Sequence, residues 1–315
     1  MQMPTILRSL LAAAALAGLL AACRPVPSAP EARTGSDLGR PALAVQALTG
    51  HMRRGDFSAF ARDAVPPPLH ARLEAAWRAG RTRWPLDELA FSDRLPEVMT
   101  ALAAPDAETT LAAGFDRQFA NATREIRAAA ATLGLFGVQY VEHQGDFSEG
   151  ERDHYAQLVT AVAQWAAKAP LGEPALAHAA IPRLAAAARA AGPTSAEGIA
   201  AAGMDASLQR VGAFSLEARA VLAGYGLDLD AALDGAQASL QVQQGDRATV
   251  RLRYTLAGSA IDTVLDMERI DGRWYLSDYL RHAREAAGAP VDGQPDVPAT
   301  PAPAATAPPE PVAAP

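Results

Sequence analysis

Apolar positions recur every three or four residues from Pro41 to about residue 232, and then every second residue from Ala238 to Leu280. The first period is that of helices and the second that of half-buried strands. Pro41 suits the first turn of a helix running to about Arg54, with Val45, Leu48 and Met52 on one face and Gly55 at its end. A short helix is expected from Asp56 and a break at Pro66-Pro67-Pro68. A further helix follows from Leu69 to Ala79, anchored by Trp77. Leu111, Phe115, Phe119, Ala122, Ile126, Ala129, Leu133, Phe136 and Tyr140 succeed one another at steps of four or three. They predict one apolar seam, with Gly114, Gly134 or Gly137 as the points where it bends or breaks. Gly145 is placed to end it. Ser148 and Glu151 form a capping box for the next helix, striped by Tyr155, Leu158, Val159, Val162 and Trp165. The two stripes predict an antiparallel helical hairpin packed seam to seam. More helices are expected near 173–191, 195–202 and 205–225.

Four strands are expected at 238–244, 247–257, 260–270 and 273–280. A Gly258-Ser259 hairpin sets Leu256 opposite Ile261, Tyr254 opposite Thr263, Leu252 opposite Leu265 and Val250 opposite Met267, all on one face. On the other face it sets Arg251 opposite Asp266, with Arg253 diagonal to Asp262 and Asp266. An Asp271-Gly272 hairpin then puts Leu276 opposite Met267, Leu280 opposite Thr263 and Asp278 opposite Leu265. A carboxylate on the apolar face is costly without a partner. Asp278 is therefore either a pocket residue or the mark of a bulge or strand edge. The fold class is α+β and mainly helical, a long helical hairpin plus a C-terminal four-stranded antiparallel sheet. Its segments are 1–22, 23–40, 41–232 (helical), 233–288 (the sheet with a short terminal helix) and 289–315.

The outer segments carry the most specific motif. Leu10 to Leu20 is uncharged and too short to span a bilayer. It fits the apolar core of an export signal ending at Leu20-Ala21-Ala22-Cys23. Those four residues resemble the bacterial lipobox. The resemblance implies a diacylglyceryl thioether on Cys23, cleavage before it, and acylation of the new amine. Several chains make a lasting anchor where one is marginal. Arg24 follows where an Asp would retain some lipoproteins in the inner membrane. The resemblance thus implies the outer membrane's periplasmic face. Residues 24–40 read as a flexible tether. Residues 289–315, with nine Pro in 27 positions, read as a disordered tail.

Formal charge is −7 and falls to −8 once Arg8 leaves with residues 1–22, which argues against nucleic-acid binding. The single cysteine excludes a disulfide framework and a cysteine metal cluster. Gly55-Asp56-Phe57-Ser58 recurs as Gly145-Asp146-Phe147-Ser148. The repeat is read as one helix–turn–helix chemistry used twice, with an ancient duplication as the alternative. Pro41 to Ala64 around Arg54-Gly55-Asp56-Phe57, and Asp271-Gly272-Arg273-Trp274-Tyr275-Leu276, resemble the first helix and closing hairpin of nuclear-transport-factor-two-like (SnoaL-like) domains. That resemblance implies a sheet and helices around a pocket, and it transfers no catalytic residue. Residues 85–232 depart from it.

Neither a nucleophile elbow, a phosphate-binding Gly-Lys loop nor a His-Glu-x-x-His zinc motif is present in the sequence. Glu142, His143, Asp146, Glu149, Glu151, Asp153 and His154 cluster around one turn and read as a solvated turn with helix-cap carboxylates. The sequence therefore predicts no cofactor, no metal and no catalytic residue. It predicts a lipid-anchored envelope protein that binds a partner or ligand. One alternative is an enzyme or small-molecule binder using a sheet pocket with Asp278 and Tyr254. Another is a structural link from the outer membrane to a cell-wall or envelope partner through the tail.

Overall fold

The computed structural model describes residues 37–88, 94–143, 145–192 and 196–288. The expected export signal, Cys23, most of the expected tether and the Pro/Ala-rich residues 289–315 lie outside them. The helices are α1 (Pro41–Arg53), α2 (Phe57–Asp63), α3 (Pro67–Arg78), α4 (Leu95–Ala103), α5 (Ala107–Gln118) and α6 (Thr123–His143). They continue with α7 (Glu149–Ala166), α8 (Pro174–Ala190), α9 (Ala196–Ala202), α10 (Met204–Gly224) and α11 (Leu229–Asp234). The strands β1 (Gln237–Gln244), β2 (Arg247–Leu256), β3 (Ser259–Ile270) and β4 (Arg273–Leu276) follow, then α12 (Ser277–Ala286). The fold is α+β and mainly helical. The strands form an antiparallel meander in the order β1-β2-β3-β4.

One core joins α1, α2, α3 and α7 to the packed face of the sheet, with Val250, Leu252, Tyr254, Leu256, Ile261 and Met267 buried there. Asp63 ties the first helices to the last hairpin. It accepts from His51 Nε2 and from Arg273 Nη2, both at 2.8 Å. Asp56 caps α2 through the Ala59 N–H, whereas in the second copy of the repeat the cap is Ser148. The two joints thus share Gly at positive φ but not the capping residue.

The long seam is corrected in two ways. It breaks at 119–122, not at a glycine: Asn121 adopts φ 61° and donates its N–H to Gly172 O at 2.8 Å. The face of α6 that is buried is Ala130, Gly134, Gly137 and Val141, while Phe119 and Phe136 stand 48% and 54% exposed. Gly134 explains why. A Cβ there would lie 2.4 Å from the Ala163 Cβ of α7, so contact is made along a stripe of small residues. The larger seam residues are left to flank it.

The β2–β3 register is also corrected. The turn is Ala257-Gly258, at φ 50° and 83°, and Leu256 pairs with Ser259, Tyr254 with Ile261, Leu252 with Thr263 and Val250 with Leu265. A slip of two residues preserves every residue's face. It moves Arg253 opposite Asp262 and Arg251 opposite Val264, and Arg251 now forms a two-pronged bond to Asp262 at 2.7 and 2.5 Å. Leu276 does pair with Met267, through an Asp271-Gly272 turn. There the strand ends. Ser277 opens α12, so neither Asp278 nor Leu280 lies opposite β3. The early end of β4 leaves two-thirds of β3's outer edge without a strand partner among the described residues. Helix α7 covers part of it: Gln157 donates to Asp262 O and accepts from Asp262 N, both at 3.0 Å. One amide thereby satisfies a strand edge.

Candidate functional site

Between Gln157 and the start of β4 pairing, the edge of β3 is not covered by a strand. Backbone groups at Asp262 face α7, and Glu268 pairs with Tyr275 of β4. By ladder alternation the backbones of Val264 and Asp266 face the same way, into the gap. A cavity of about 60 Å³ lies there. Its walls come from α1 (Val45, Leu48, Thr49), the first turns of α7 (Gly150, Glu151, His154, Tyr155) and β3. The start of α12 (Asp278, Tyr279), with Leu252 of β2 and Leu276 of β4, completes them.

The capping box places the α7 residues. Ser148 Oγ accepts the Glu151 N–H at 3.1 Å, and Glu151 Oε2 accepts the Ser148 N–H at 2.8 Å. This bends the Glu151 carboxylate back over the helix start, where it is only 8% exposed. Arg281 Nη2 reaches the same oxygen at 2.5 Å, and His282 Nε2 lies 3.3 Å from Oε1. The other ring nitrogen of His282 lies 2.7 Å from Glu88 Oε2. Both nitrogens of His282 thus face carboxylates, which suits the doubly protonated ring. Burial works against that charge, but the Glu88 hydrogen bond and the fields of Glu88 and Glu151 outweigh it and hold the pKa above its ordinary value. Burial holds the Glu151 carboxyl above its ordinary value; the Ser148 N–H opposes this and the Asp278 charge adds to it.

Asp278 lines the cavity. It accepts from Ser148 Oγ at 3.1 Å and lies 3.4 Å from Arg281 Nη2. Tyr254 stands one layer behind, 4% exposed, with its hydroxyl 2.7 Å from His154 Nε2. Structure therefore brings Asp278 and Tyr254 to one region, through α12 and His154 and not through strand pairing. His154 is 6% exposed, and burial alone pushes its pKa down to about 4. Burial also raises the pKa values of Tyr155, Tyr254 and Tyr279.

The acid–histidine turn is dispersed. Glu151 and His154 point inward, while Glu142, His143, Asp146, Glu149 and Asp153 are exposed. Among the described residues no group of three His, Cys, Asp or Glu side chains is arranged to hold a metal ion. Glu88, Tyr279, Arg281 and His282 were not singled out from the sequence. A helical reading of Ser277-Asp278-Tyr279-Leu280-Arg281-His282 would have shown Asp278, Arg281 and His282 at steps of three and four on one face.

Chemically, the arrangement holds charges in place. Ser148 Oγ is engaged both as cap and as donor to Asp278, His154 is neutral near pH 7, and the His282 ring is fixed between two acids. None of these groups has the pairing of activated nucleophile and free base that covalent catalysis uses. Among the described residues no helix is long and apolar enough to cross a membrane. No protein-family model matches the chain, and comparison with curated proteins and with solved structures returns no match.

Proposed function

We propose that this protein is a lipoprotein of the bacterial cell envelope whose folded body binds a small ligand without catalysis. The anchor is a lipid on Cys23, at the periplasmic face of the outer membrane. The single observation that carries the binding role is the cavity at the free edge of β3. Cores are packed close to the density of organic crystals, so a cavity that persists beside Glu151 and Asp278 is a place where water or ligand can sit. The resemblance of residues 41–64 and 271–276 to pocket-forming domains supports the same reading, since Asp63 and Arg273 bind those two segments together. The anchor rests on Leu20-Ala21-Ala22-Cys23 and the apolar run before it.

Two experiments test the proposal. Cells fed radiolabelled palmitate should label the wild-type chain and not Cys23→Ala, and only the wild type should pellet with outer membranes. Equal labelling, or membrane association of Cys23→Ala, would refute the anchor. A fragment screen on the isotope-labelled full chain should give saturable shifts clustered at Gly150, Glu151 and Tyr279. Shifts scattered elsewhere would refute the binding site.

A further inference from the structure

Helix α6 has two different sides. Its inner side, Ala130, Gly134, Gly137 and Val141, is buried, and Gly134 meets Ala163 of α7 there. On the opposite side Ala128, Ala131, Thr132, Leu135, Phe136 and Gln139 are exposed, Leu135 at 65% and Phe136 at 54%. Residues 128–141 carry no charge, in a chain where one residue in five is charged. Charge on the exposed side is confined to its two ends. Arg124 and Glu125 stand at the N-terminal end, and Glu142 and His143 at the C-terminal end, all of them exposed. An apolar centre inside a polar rim is the anatomy of a protein contact surface.

The order of those charges selects the occupant. Arg124 and Glu142 are five full turns apart, and so are Glu125 and His143, so each pair lies along one line of the helix. We propose that the outward side of α6 is the interface of a symmetric dimer, with α6 packed antiparallel on α6 of a second copy. A two-fold axis near residue 133 sets Arg124 of each copy level with Glu142 of the other, and Glu125 level with His143. The same axis lays Leu135 and Phe136 of one copy over the small residues 128–132 of the other. A parallel pairing would instead set Arg124 against Arg124 and Glu142 against Glu142, which like charges oppose. The 21-residue helix is about 32 Å long, so the contact is at the small end of specific interfaces and the dimer is a weak one. Neither the cavity nor the lipid anchor enters into this contact.

The test is thiol crosslinking of the full chain, with a short bis-maleimide, in envelopes of cells that produce it. Yields are read per chain present, so a variant made in small amount is not mistaken for one that fails to pair. Wild type, whose one cysteine is Cys23, gives the background. Thr132→Cys sits beside the axis and should crosslink to its own copy well above that background. Glu125→Cys should not, because its two copies lie about 25 Å apart along the helices. Glu125→Cys combined with His143→Cys in one chain should. Added to Thr132→Cys, Leu135→Asp should lower the dimer yield about tenfold, since it places a charge in the apolar centre. Arg124→Glu should lower it about threefold, and Glu142→Arg added to Arg124→Glu should restore it. A Thr132→Cys yield no higher than background would overturn the interface. Glu125→Cys crosslinking to its own copy as well as Thr132→Cys does would overturn the antiparallel arrangement, as would failure of Glu142→Arg to restore the yield.

Discussion

Acidification should destabilise this protein through one buried imidazole. His154 is 6% exposed, and its pKa falls from 6.5 to about 4 because burial penalises the charged ring. Between those values the unfolded chain carries the proton and the folded chain does not. Stability therefore falls as pH falls, from about 6.5 down to about 4. Each unit of pH in that window is worth about 1.4 kcal/mol. The full window amounts to about 3 kcal/mol, a large share of a typical domain's 5–15 kcal/mol. His282 acts in the opposite sense. Its pKa is raised in the fold, so its contribution is complete below the unfolded value and is lost as pH rises through the folded one. A variant that removes only the His154 titration separates the two. His154→Gln retains an amide partner for the Tyr254 hydroxyl. Urea unfolding at intervals from pH 7 to pH 4 should show the wild type losing about 3 kcal/mol more than His154→Gln. Equal losses in the two proteins would refute the argument, as would a His154 ring resonance that titrates near 6.5 in the folded state.

Substitutions at four other positions have defined outcomes. Gly212→Ala should lower stability by about 1–3 kcal/mol in thermal or urea unfolding, because its Cβ would lie 1.9 Å from Gly55 O; Gly114→Ala meets open space in a helix and should raise stability by up to about 1 kcal/mol. Ala257→Asn should stabilise by about 0.5–1 kcal/mol, since Ala257 sits at φ 50° in a turn where Asn is at home; a lower melting temperature would contradict the observed turn. Ser148→Ala should cost about 1–2 kcal/mol through loss of the cap. Ser148→Asp should not restore it, because the new carboxylate would face Asp278 and Glu151; full recovery by Asp would show that those charges do not meet at this site.

Several elements were legible because local physics decides them. Pro41 and Gly55 bound α1, and Ser148 with Glu151 starts α7. The alternation along β2 and β3 settles which residues face the core. Faces survived even where the register did not, because side-chain direction has period two and the slip was two. Asp271-Gly272 specified its turn and with it the pairing of Leu276 with Met267.

What remained was decided by partners distant in the chain. The seam through Phe119, Ile126, Leu133 and Phe136 has the helical period of a core stripe. Helical period alone does not say which side a neighbour will approach, and here Gly134 admits Ala163 so closely that the small side was buried. Gln157, reaching the edge of β3 from α7, holds both backbone groups of Asp262. The end of β4 at Leu276 is also tertiary, and it creates the free edge that the cavity occupies. The sequence points to Asp278 and Tyr254 as residues of one sheet pocket. They share a region because Ser148 meets Asp278 from one side and His154 meets Tyr254 from another. Residue types and spacing thus determined the bounds of α1, the start of α7 and the faces of β2 and β3. Only packing determined the cavity, because a cavity is the space that elements far apart in sequence leave between them.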